Sequence, residues 1–244
     1  MPLDPIIKPK PEISTFLQSR IDAGDFPSAV YVVAEHGRAV FSGALGDAVR
    51  EPETQAASLQ TIYDLASLTK PLVTGLLCAR LVQLGELTLD SSIASYLLEF
   101  DRPDKNLITV RQLLTHTSGL PAWRPLYIIA NGKQEEAIAA IANQSLAYEP
   151  GARVVYSDLG FIVLGFLLNR LTGSRFDHLA QRQIFSPLGL QSSFFNPSRT
   201  IRNEVAACEI GNQYERDMCE RDPELGRRRK AARIGSRFAE RRVH

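Results

Sequence analysis

Residues 68–87 read LTKPLVTGLLCARLVQLGEL and are apolar on nearly every face of a helix. Such a segment has no polar side to turn to water, so it is expected inside a domain with other elements around it. Pro71 fixes where it starts. Proline is accepted in a first helical turn and breaks an interior, so the helix cannot begin much before Ser67. A second strongly apolar helix is expected over residues 159–171, stopping at Gly173. The chain has 244 residues and is 44% hydrophobic, which is enough for one large domain or two small ones.

The remaining patterns fill in around these two helices. Residues 12–23 place Ile13, Phe16, Leu17 and Ile21 at helical spacing, with Gly24 closing the element. SAVYVVAE, then His36-Gly37, then RAVFSG reads as a β-hairpin. Residues 47–61 are polar and turn-like. A short helix is expected over 107–115, ending in the turn His116-Thr117-Ser118-Gly119, and others over 135–144 and 176–185. Residues 149–151 form a turn, and 153–156 a short extended piece.

Charge excludes some function classes. Lys and Arg total 28 against 27 Asp and Glu, so no overall field steers the molecule to nucleic acid. The imbalance is local: residues 227–244 hold eight basic side chains (Arg227, Arg228, Arg229, Lys230, Arg233, Arg237, Arg241 and Arg242) and one acid, Glu240. Taken at face value this tail could anchor to nucleic acid or an anionic membrane, but without interleaved aromatics the cluster is weak support. Cys78, Cys208 and Cys219 are too scattered for a disulfide framework, and no CxxC pair suggests zinc. The first ten residues lack an apolar run of signal-peptide length, and no segment approaches the roughly 20 apolar residues of a membrane span. The chain as written is therefore expected to be cytoplasmic, or periplasmic if the true start lies upstream.

Ser67-Leu68-Thr69-Lys70 is an S-x-x-K tetrad. On a helix, residues three apart share a face, so the Lys70 amine can reach the Ser67 hydroxyl. A serine hydroxyl becomes a useful nucleophile when a nearby base takes its proton. A partly desolvated lysine whose pKa has been lowered can do so. About one such tetrad is expected by chance in a chain of this size, and the alternative is a capping Ser67 with a solvent-facing Lys70. Context favours chemistry, because an idle lysine at the head of a buried helix would be costly. Tyr156-Ser157-Asp158 precedes the second apolar helix. A phenol near a lysine can shuttle a proton, although Tyr156 could equally be a packing aromatic. Ser157 is the expected N-cap, and Asp158 could cap or contact substrate. His116 is set aside from a triad, since a turn histidine commonly bonds its local backbone and no acid stands out to orient it. Trp123 and Tyr127 could line a cleft or pack.

Together, YDLASLTKP, LLTHTSGLP and YSDLGFIVLG, in that order, resemble the signature of the class C β-lactamase-like family within the serine β-lactamase and penicillin-binding protein superfamily. The resemblance spans roughly residues 25–200. It implies an α+β fold, a helical region packed on an antiparallel sheet whose first strands are the hairpin. It also implies Ser67 as acylated nucleophile, Lys70 as activating partner and Tyr156 as proton shuttle. The family includes β-lactamases, DD-peptidases and esterases, and its chemistry needs no metal or cofactor. The implied partner is a small-molecule or peptide acyl substrate, with oligomeric state open.

The chain departs from the family pattern in two places. Asp158 stands where the family usually has Asn; an ionised acid accepts hydrogen bonds and donates none, which tilts the reading from β-lactam recognition toward an ester. The Lys/His-Thr/Ser-Gly triplet of a core strand, which supplies part of the oxyanion hole, has no match after residue 200. Residues 1–225 are accordingly expected to form an incomplete β-lactamase-like domain, and 226–244 a basic tail that is disordered or out of frame. Resequencing the locus tests that expectation. The competing function is a catalytically inactive fragment or binding module that keeps the pocket.

Overall fold

In a computed structural model the described residues are 8–208 together with 217, 220 and 221. The Arg-rich tail and Cys219 lie outside them. The described chain divides into two compact units, residues 8–64 with 195–208, and residues 65–194.

The first unit carries the sheet. Helix α1 (Pro11–Asp22) buries Ile21 and packs on strand β2. Strands β1 (Ser28–Glu35) and β2 (Arg38–Val49) pair antiparallel from Ser28↔Gly46 to Glu35↔Arg38, with a bulge at Val33/Ala34. The reversal is the expected His36-Gly37, both at positive φ (49° and 75°), the geometry that matches strand twist in a two-residue hairpin loop. Residues 47–61 are not all turn. β2 runs on to Val49, and a two-residue strand β3 (Gln55–Ala56) pairs with it. Edge pairing uses backbone groups and needs no apolar alternation, so composition did not reveal it. The chain returns to this unit late, where Ile62 bridges Val205 and the Ala207 amide donates to the Ala48 carbonyl at 2.8 Å.

The second unit is helical. A 3-10 turn (Ala66–Leu68) leads into a π-helical turn (Lys70–Gly75) and then α2 (Leu76–Gln83). The start near Ser67 is as Pro71 dictates. All-round burial is not observed: Val73, Leu77, Cys78 and Leu81 are buried, whereas Leu68, Leu72 and Leu76 are about half exposed. Apolar content reports what a helix can bury, not which side is covered, and of the three only Leu68 lines the cleft described below. Cys78 is fully buried, and burial pushes its thiol up to about 12, so it is a core side chain and not a nucleophile.

Helices α3 (Val110–Leu114), α4 (Leu126–Ile129), α5 (Gln134–Ala142), α6 (Asp158–Thr172) and α7 (Phe176–Ala180), the last continuing through a π-helical turn (Gln181–Phe185), complete the unit. α6 is its axis. It touches α3, α5 and the Lys70–Gly75 turn, and its Leu159, Leu164, Leu167 and Leu168 are fully buried with Leu113, Leu120 and Ile141. Gly173 ends it in the left-handed conformation, φ 63°. α3 is short but firmly started by a capping box: Thr109 Oγ1 accepts from the Gln112 amide at 3.2 Å, and Gln112 Oε1 from the Thr109 amide at 3.0 Å. Thr109→Ala is expected to cost about 1 kcal/mol, read as a lower urea midpoint at unchanged slope; an unmoved midpoint would show that the box is idle. Among the described residues no helix is long and apolar enough to cross a membrane.

Candidate active site

Ser67 sits at the head of the first apolar helix, in the 3-10 turn, just after Ala66. Ala66 holds φ 44°, a left-handed conformation uncommon for a residue with a side chain. Lys70 lies one turn on, and its Nζ donates to Ser67 Oγ at 2.9 Å. The spacing argument is realised directly.

Tyr156 arrives from the segment just before the other apolar helix. Lys70 Nζ stands 4.9 Å from its ring centroid. Ser157 is the N-cap of α6, its Oγ accepting from the Gly160 amide at 3.2 Å. Asp158 does not cap. It is the first residue of α6, and its Oδ1 pairs with Lys70 Nζ at 2.7 Å.

That pairing corrects one expectation. The mechanism read from sequence calls for a lysine with a lowered pKa, and burial does pull in that direction. The Asp158 carboxylate at 2.7 Å, with the Tyr156 phenol beside it, outweighs burial, so the Lys70 amine is held above its ordinary value.

His116 is the residue that sequence reasoning set aside and the structure brings into the site. Its φ is 58°. The partner it finds is not local: Nδ1 accepts the Ser157 amide at 3.0 Å, forty-one positions away. Its ring stands 4.7 Å from that of Tyr156 and 5.0 Å from that of Phe161. Burial, then the Lys70 charge, lower its pKa, with Asp158 opposing, so it is neutral at pH 7, as an acceptor at Nδ1 must be. The same loop grips the start of α6 three more times: Val155 N–H to His116 O at 2.9 Å, Ser157 Oγ to Pro121 O at 2.8 Å, and Asp158 N–H to Ala122 O at 2.8 Å. Gly119, at φ 80°, allows that loop to press on the Tyr148 carbonyl, which a Cβ would strike. The phrases LLTHTSGLP and YSD are thus two halves of one joint.

These groups face a cleft of about 630 Å³ lined by Ser67, Lys70, His116 and Tyr156, with apolar walls from Leu65, Leu68, Leu114 and Phe161. Ser67 is exposed, Tyr156 half exposed and Lys70 largely covered. Trp123 is not in this lining. It follows Ala122, with its ring 6.5 Å from that of Tyr127.

The Beta-lactamase family model matches residues 13–232. The chain belongs to the Beta-lactamase family. In this Beta-lactamase family member the α+β arrangement of helices with a small antiparallel sheet is also that of solved relatives. "EstCE1, a hydrolase with promiscuous acyltransferase activity" is 27% identical with a TM-score of 0.71, covering 81% of this chain and 55% of that one. "A class C beta-lactamase" is 22% identical with a TM-score of 0.70, covering 81% and 53%, a likeness of fold. A "Putative D-alanyl-D-alanine carboxypeptidase" of Escherichia coli (strain K12) is 30% identical over 205 residues, 76% of this chain and 47% of that protein. The chain spans about half the length of the curated relatives it matches.

Proposed function

We propose that this Beta-lactamase family member is a serine hydrolase that works through an acyl-Ser67 intermediate on a β-lactam, a D-alanyl peptide or a short ester. The observation that carries the reading is the 2.9 Å contact between Lys70 Nζ and Ser67 Oγ, with Tyr156 against the same amine. Ser67 Oγ attacks the acyl carbon. Its O–H bond breaks as the new C–O bond forms, and the proton passes to the Lys70–Tyr156 pair and on to the leaving group as that group's bond to the acyl carbon breaks. Water then hydrolyses the ester of Ser67.

Among the three substrate classes the site favours an ester. The walls are apolar, and the cation lining the cleft, Lys70, is already neutralised by Asp158, so a carboxylate-bearing substrate finds little attraction there. Asp158 offers substrate an acceptor and no donor. Trp123, on the loop that grips α6, is the proposed contact for the substrate's remote part. A second reading is a member that keeps the pocket without turnover, favoured by the charged, paired state of Lys70.

Incubation with a fluorescent penicillin and with a fluorophosphonate, against a Ser67→Ala control, tests the proposal. Covalent labelling of the natural chain that disappears in the variant is expected. Labelling that survives the substitution removes Ser67 as nucleophile. Saturable binding of either probe without covalent label establishes the second reading.

A further inference from the structure

The salt bridge between Asp158 and Lys70 has a consequence for proton flow. An ammonium nitrogen has no lone pair. It can donate to Ser67 Oγ, as it does here, but it cannot take the Ser67 proton. Among the described residues, three titratable groups face Lys70 from the elements around it: Asp158 from α6, Tyr156 from the extended segment before α6, and His116 from the turn after α3. Asp158, at 2.7 Å, is the acid of the three and the one in direct ionic contact. Lys70 is largely covered and Asp158 about a third exposed, so the pair is only partly screened.

We propose that Asp158 holds Lys70 as an ammonium ion and so sets the pH above which the Ser67 hydroxyl can be deprotonated. This rests on the acyl-Ser67 reading for its meaning in catalysis, though the clamp itself is a property of the pair. Asp158 is thus a positioning residue for the proton relay, acting through Lys70 whatever contact it also makes with substrate. The direction holds for either final base. If the Lys70 amine takes the proton, the carboxylate delays loss of its own. If the Tyr156 oxygen takes it, the carboxylate competes for the charge that would stabilise a phenolate. Removing the carboxylate therefore moves deprotonation of Lys70 to lower pH.

The experiment reads Lys70 directly. The full chain and its Asp158→Asn and Asp158→Glu variants are pulsed with acetic anhydride between about pH 6 and pH 11, and acetylation of Lys70 is followed by peptide mass spectrometry against exposed Lys8 as internal reference. In the natural chain Lys70 is expected to react only well above the pH at which Lys8 does. In Asp158→Asn the onset moves to lower pH, with reactivity at pH 8 about ten-fold higher relative to Lys8; Asp158→Glu, which keeps the charge, retains the natural onset. Fluorophosphonate labelling of Ser67 is followed over the same range and is expected to move with it. Onsets that coincide in the natural chain and Asp158→Asn overturn the proposal, as does a fall in labelling by one factor at every pH, which marks a merely structural role. A shifted Lys70 onset in chains that never label Ser67 upholds the clamp and defeats the acyl-serine reading.

Discussion

Replacing Lys70 by methionine is expected to slow acylation of Ser67 about a thousand-fold, the middle of the range for loss of a positioned proton-transfer group. The substitution removes the amine that contacts Ser67 Oγ, Asp158 and Tyr156 together, while methionine preserves most of the side chain's length and apolar stem. The protein should stay folded. The carboxylate left without its partner is about a third exposed and can be hydrated, which spares it the penalty of an unpaired charge in a dry core. Burst labelling with the fluorophosphonate at fixed pH provides the rate, and circular dichroism the fold. A rate within three-fold of the natural chain's would take Lys70 out of the relay.

Leu164→Ala is expected to produce the largest loss of stability. Leu164 is fully buried in the middle of α6, and truncating a leucine in such a place costs about 2–5 kcal/mol through lost transfer energy and the cavity left behind. That is a large part of the 5–15 kcal/mol on which a domain usually rests. Because α6 presents Asp158 at its first position and Tyr156 just before it, the site should loosen along with the core. Ile162, on the same helix but 37% exposed, supplies the contrast: Ile162→Ala should change stability by no more than about 0.5 kcal/mol. Urea titrations of the two variants check the pair. Equal midpoints would mean that α6 is not the axis of this unit.

Much of the frame is legible in the sequence, for identifiable reasons. Pro71 and Gly173 mark the start and end of the two long apolar segments because each residue has one backbone property that a helix must accommodate. His36-Gly37 marks the hairpin because both positions need positive φ. The S-x-x-K spacing gives the Ser67–Lys70 contact because it lies within one turn. Long-range joints are less legible. That Nδ1 of His116 accepts the Ser157 amide depends on two loops meeting, and nothing in the local pattern around His116 announces it. LLTHTSGLP and YSDLGFIVLG stand in the family's order along the sequence, but order alone does not say that the two phrases touch. The raised pKa of Lys70 is illegible for a similar reason: burial is inferable from the apolar helix, but the carboxylate that outweighs it lies 88 positions away at Asp158. The exposed Leu68, Leu72 and Leu76 show the same limit, since composition does not say which face is covered.

Ser67 is proposed as the nucleophile that becomes acylated in a site shared with Lys70 and Tyr156. Intact-mass measurement after reaction with a fluorophosphonate, followed by peptide mapping, tests it most directly. One adduct per chain on the peptide containing Ser67, localised to that residue, is the predicted result. An adduct on another residue, with Ser67 unmodified, would contradict it.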